Sequence, residues 1–123
     1  MIVDKPSILI VREPLDAALL KQYAKAWFGD MVKIVADIGR GVLALGGELH
    51  SDGEHLLLQD GSMQSDLWGA NVYIFRDREN RLEFTALINI RPSQGNRSMV
   101  VQDEKLRERI RLIVDRLLPE VVP

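Results

Sequence analysis

Apolar positions along this chain fall into short runs separated by turn residues, and three of those runs carry a helical period. Ser7 to Val11 ("SILIV") is β-branched and apolar, the pattern of a short strand, and Arg12-Glu13-Pro14 ends it. Leu20, Tyr23, Ala24, Trp27 and Phe28 then form a stripe at helical spacing. Asp16 is placed to cap that helix, with Leu15 and Leu20 at the spacing of a hydrophobic staple. After Gly29, Met31, Ile34, Val35 and Ile38 fit one face of a second helical segment, capped by Asp30 and stopped by Gly39 and Gly41.

The middle of the chain reads as strands. Gly41 to His50 is one, with Gly46-Gly47 marking a bulge or a close backbone approach. Ser51-Asp52-Gly53 reads as a turn and "EHLLLQ" as a further strand, with a helical turn over 52–59 as the alternative. Trp68 to Phe75 alternates, with Asn71, Tyr73 and Phe75 on one face and Val72 and Ile74 on the other. Leu82 to Ile90 supplies another strand, and the short connection "RDRENR" makes the two an antiparallel hairpin. Leu106, Ile110, Ile113, Val114 and Leu117 form the apolar stripe of a last helix, capped by Asp103 and ended by Pro119. The expected fold is α+β. An antiparallel sheet packs against an N-terminal pair of helical segments and a C-terminal helix, with one face buried and Ser7–Val11 at an edge.

The 123 residues fit one domain, 1–123, large enough to bury a core without staples. No cysteine is present, which removes disulfides, thiolate metal sites and thiol catalysis. No apolar run spans a bilayer and the first residues do not read as a signal peptide, so the expectation is a cytoplasmic protein with no membrane association. A net charge of −2 argues against broad nucleic-acid binding. The arginines of the last helix alternate with acids and read as a solvated face.

Candidate chemistry gathers in four places. "GELHSDGEH" carries Glu48, His50, Asp52, Glu54 and His55; on a strand Glu48, His50 and Asp52 would share a face. His50 is the general acid/base candidate with Glu48 or Asp52 orienting it, and His50 and Asp52 are the metal-ligand candidates. A polar outer strand face with an Asx turn is the plainer reading. "RPSQGNRS" brings two forked cations, Arg91 and Arg97, around a turn of Gly95 and Asn96, with Ser93, Gln94 and Ser98 as further hydrogen-bonding groups. That suits a small anion, and an exposed sheet-to-helix connection explains part of its polarity. Trp68 and Asn71 could stack on and hydrogen-bond a ring, although a Trp beside a Gly in a strand is more commonly core. Asp30 and Asp37 would share a face of a continuous helix, ordinarily a solvated one. No particular cofactor is indicated.

"GGELHSD", "LWGANVY" and "INIRPSQGNRSM", in that order before a terminal helix, resemble a family of small uncharacterised prokaryotic proteins, a domain of unknown function. The resemblance runs from "FGDMVK" (28–33) to the last helix, with Ser51 a mild departure. It implies no activity and raises "GELH-D" and "RPSQGNRS" as site positions. Three functions remain in play. The first is binding of a small anion, with or without catalysis, with Arg91 and Arg97 facing a pocket within about 10 Å of His50. The second is a non-enzymatic homodimeric interaction module using "HLLLQ" as an open edge. The third, with least behind it, is nucleic-acid binding through the last helix.

Overall fold

The computed structural model describes residues 5–122. Five antiparallel strands form one sheet: β1 (Leu9–Val11), β2 (Met31–Asp37), β3 (Val42–Leu45), β4 (Leu67–Tyr73) and β5 (Leu82–Glu83), in the order β1-β3-β2-β4-β5. Three helices pack on it: α1 (Ala17–Trp27), α2 (His50–Gln59) and α3 (Glu104–Leu117). The fold is α+β as expected, with β1 at an edge and β4–β5 an antiparallel hairpin.

Both faces of the sheet are covered, not one. Alternate residues of β2, β3 and β4 (Val32, Ile34, Ala36; Leu43, Leu45; Trp68, Ala70, Val72) face a core shared with Leu20, Tyr23 and Ala24 of α1 and Ile110, Ile113, Val114 and Leu117 of α3. The other face carries Val35, Val42, Ala44 and Leu67, which pack with Leu57 of α2. A sheet buried on both sides loses the two-residue alternation that marks a one-sided strand.

That double burial explains the main correction. Residues 31–37 are the central strand β2, not the second helix of a pair. Its apolar residues Met31, Ile34 and Val35 happen to fall at i, i+3 and i+4, while Val32 and Ala36 are buried with Ile34 on one face and Val35 is buried on the other. The β-branched run Val32, Ile34, Val35 favours the extended backbone. Asp37 is therefore no helix-face partner of Asp30. It is fully buried, and its carboxylate accepts from Gly39 N–H, Arg40 N–H and Ser62 Oγ, closing the β2–β3 turn.

The second correction concerns Gly41 to Gln59. The strand β3 ends at Leu45, and Gly46 has the left-handed φ of +104° and presses so close to Tyr23 that a Cβ there would lie 2.9 Å from its ring. The chain then enters α2 at His50, so Glu48, His50 and Asp52 do not share a strand face, and "HLLLQ" is helix instead of sheet edge. Leu57 is buried under it and Leu58 is 38% exposed. Ser51-Asp52-Gly53 is the first turn of this helix. Gly53 is there for contact: a Cβ would sit 3.2 Å from Val35 Cγ2 and 3.3 Å from Ala44 Cβ. Glycine lets the helix axis approach the sheet.

The third correction is the end of the sheet. The strand β5 covers only Leu82–Glu83, and residues 84–101 fold back as short 3₁₀ turns and bridges. Ala86 N–H donates to Met99 O and Val101 N–H to Phe84 O, so this segment pairs largely with itself. The last helix is as expected, with Asp103 accepting from Lys105 N–H at its start. Asp16 occupies the N-cap of α1, but its side chain makes no capping bond.

Candidate functional site

The segment "INIRPSQGNRS" builds a knot before it builds a site. Asn89, fully buried, accepts from Gly69 N–H through Oδ1 and donates to Gly69 O and Met99 O through Nδ2. Its amide thus does for β4 what a neighbouring strand would do, because β5 has already ended. Asn96, also buried, donates to the carbonyls of Asn89, Ser98 and Val100 and accepts from Gln102 N–H. Gly95 takes the left-handed conformation, φ +79°, that the turn requires.

Arg91 is folded into the same knot. Its guanidinium donates to Ile88 O, Gln64 O, Gln94 Oε1 and Leu67 O, four bonds in all, and stacks 4.2 Å from the Trp68 ring centre. Burial lowers its pKa from the ordinary value, partly offset by the nearby Glu54 carboxylate. Burial likewise raises Glu54, and Arg91 pulls it back. Gln94 also donates to Ser65 O, and Ser98 Oγ accepts from Val100 N–H. Ser93 and Arg97 are exposed. Trp68 is 3% exposed and belongs to the core. The buried Arg81, in a connection read from sequence as merely polar, similarly ties α3 down through Leu118 O, Pro119 O and Asp115.

The residues that do converge lie where α2 begins, over the β2–β4–β5 end of the sheet. A cleft of about 270 Å³ is lined by Lys33, Leu49, His50, Ser51, Asn71, Thr85, Ala86, Leu87 and Met99. His50 and Asn71 are the two sequence candidates that share it. Arg91, Arg97, Glu48 and Asp52 are outside its lining. Asp52 instead faces a separate cleft with His55, toward Ile8. Among the described residues no three His, Asp or Glu side chains gather as a metal site.

His50 sits on the sheet-facing side of α2, above Gly69. Its Nε2 lies 2.9 Å from Ala70 O. A carbonyl only accepts, so Nε2 carries the hydrogen and Nδ1 of the neutral ring is a bare acceptor. Burial lowers the imidazole pKa from its ordinary 6.5; the Ala70 carbonyl opposes this, the Lys33 charge adds to it, and the Asn71 side chain opposes it.

Asn71 is the most telling group. It is only 9% exposed, and its Nδ2 donates to Glu83 Oε1. Its Oδ1 is buried without a fixed donor, and the Asn71 side chain lies within hydrogen-bonding reach of the His50 ring. A buried amide oxygen left bare costs about 1–3 kcal/mol, so such an atom lining a cleft is a demand for a donor. Lys33, directly across from Asn71 in the β2–β4 pairing, supplies positive charge on the same face. Leu49 at the N-cap of α2 brings no side-chain cap; Asp52 N–H donates to Leu49 O, and the Asp52 carboxylate belongs to the same first turn. A larger groove, about 880 Å³, runs along α1 past Lys5 and Tyr23, but the Tyr23 hydroxyl already donates to Ser7 O.

Sequence reasoning passed over Lys33 and Thr85. The signal for Lys33 was available: it is the one charge inside the apolar run "MVKIVA", on what proves to be the central strand.

An α+β domain with helices on both faces of an antiparallel sheet, and one cleft floored by an unsatisfied amide and a neutral histidine, defines the class. The chain belongs to the family described as Protein of unknown function (DUF5674), whose pattern matches residues 9–117. No curated protein and no solved structure matches the chain. No helix among the described residues is long and apolar enough to cross a membrane.

Proposed function

We propose that this domain binds a small organic anion in the cleft between the start of α2 and the β2–β4–β5 end of the sheet. The single observation that carries this reading is Lys33, the one charged side chain in the lining of a cleft that it shares with His50 and the buried amide of Asn71. Lys33 and the uncapped first turn of α2 supply the attraction for negative charge. This role was expected of Arg91 and Arg97; the bonds Arg91 makes to its own loop and to Gln64 and Leu67 favour Lys33 in their place. The volume suits a metabolite smaller than a drug-sized ligand. The reading is of binding, since no carboxylate is among the residues that line the cleft with His50.

Isothermal titration with isocaproate, a simple apolar carboxylate, tests the reading. Binding by the wild type that weakens about tenfold in Lys33→Met is the expected result. Equal binding by both proteins would sink it.

A second reading rests on the mouth of the cleft. Leu49, Leu87 and Met99 are 54%, 71% and 41% exposed around it. Apolar groups clustered on a surface favour a contact with another protein, a second copy included. Light scattering over a concentration series decides it: a monomer throughout removes the homodimer.

A further inference from the structure

The cleft is not simply positive, and its charge order narrows the ligand. Lys33 of β2 stands opposite Asn71 of β4, and Asn71 stands opposite Glu83 of β5. These three residues form one cross-strand row on the α2 face, with a cation at one end, an amide in the middle and an anion at the other. Strand spacing puts the two charged ends about 10 Å apart at Cα. Glu83 Oε1 holds Asn71 Nδ2 at 2.8 Å, which leaves the amide oxygen as the unpaired end of a residue that lines the cleft. The neutral His50 ring contributes a second bare acceptor, Nδ1, because Nε2–H is committed to Ala70 O.

A plain carboxylate answers only half of this. It satisfies Lys33 and the first turn of α2, but it brings no donor to Asn71 Oδ1 and it is repelled by Glu83. A phosphate fails in the same way. The complement of the row is a molecule with an anion at one end, N–H donors a few ångströms away, and an apolar body for the Leu49, Leu87 and Met99 rim. We propose that the ligand is the zwitterion of a small apolar α-amino acid, its carboxylate toward Lys33 and its ammonium toward Asn71 Oδ1 and Glu83. This rests on the binding function proposed above and adds the substrate class to it.

The test compares L-leucine, its α-hydroxy analogue leucic acid and its deaminated analogue isocaproate by isothermal titration. These share a side chain and a carboxylate and differ in one group. Leucine is expected to bind at least about tenfold tighter than isocaproate, with leucic acid between them, since a charge-assisted hydrogen bond is the stronger one. Asn71→Leu is expected to erase the leucine advantage over isocaproate. Glu83→Gln, which keeps an oxygen to accept from Asn71 Nδ2, is expected to weaken leucine several-fold relative to isocaproate. Isocaproate binding that depends on Lys33 with no advantage for leucine would overturn the zwitterion and keep the anion site. Absence of binding by all three would overturn both.

Discussion

The Cβ that Gly69 lacks would lie 3.1 Å from Cδ2 of His50, so the bare backbone of β4 is the seat of the imidazole ring. The same missing atom would meet Ala86 Cβ at 2.6 Å, leaving no direction in which an added methyl fits. Gly69→Ala is therefore expected to destabilise the domain by about 1–3 kcal/mol and to displace His50. Urea unfolding measures the first effect and the His50 ring proton shifts the second. An unmoved His50 resonance would show that the ring does not rest on this glycine.

Asn89 replaces a strand at the point where β5 has ended. Removing its amide leaves Gly69 N–H and C=O unpaired in a buried place. Asn89→Ala is expected to cost about 2–4 kcal/mol in denaturant unfolding, more than an average core substitution. A loss below about 1 kcal/mol would mean that water or a local shift satisfies Gly69 instead.

How much of this was readable beforehand depended on what each segment packs against. The amphipathic helices α1 and α3 each present one stripe to one core, and that pattern was legible in Leu20, Tyr23 and Ala24 and in Ile110, Val114 and Leu117. Residues 31–37 were not legible, because a strand covered on both faces shows no alternation and its apolar residues fell by chance at helical spacing. His50 to Gln59 misled for the opposite reason. Asp52-Gly53 looks like a turn, yet Gly53 serves a helix lying close against Val35 and Ala44. The candidate site was half visible. His50 and Asn71 were chosen for their chemistry, but the depth of the Asn71 oxygen and its pairing with Lys33 and Glu83 follow from strand register, which no local pattern reveals.

Arg91 and Lys33 should separate stability from binding. A lysine at 91 keeps the charge but cannot reach the Ile88, Gln64 and Leu67 carbonyls with one fork. Arg91→Lys is expected to lower stability by about 2 kcal/mol and leave carboxylate affinity unchanged, while Lys33→Met does the reverse. Thermal unfolding and isothermal titration on both variants check this. Affinity lost in Arg91→Lys at a temperature where it is fully folded would return the anion to the arginine loop.

The depressed pKa of His50 gives a pH dependence of known sign. Burial holds the folded imidazole below its unfolded value of 6.5, so the unfolded chain takes up the proton first. Stability therefore falls as pH drops from about 6.5 toward the lower folded value and is flat, for this group, above 6.5. His50→Gln is expected to remove that part of the slope, leaving the carboxylate titrations in place. Unfolding free energies of wild type and variant that run parallel from neutral pH down to about pH 5 would show that the ring is not held neutral.

The central claim is that ligands enter at the start of α2 and not at the arginine loop. An amide NMR titration of isotope-labelled protein with L-leucine tests it most directly. The predicted result is a saturable shift of the Ser51 and Thr85 backbone amides and the Asn71 side-chain amide, with Gly95 to Ser98 unmoved. Shifts confined to Gly95–Ser98, or none anywhere, would contradict the account.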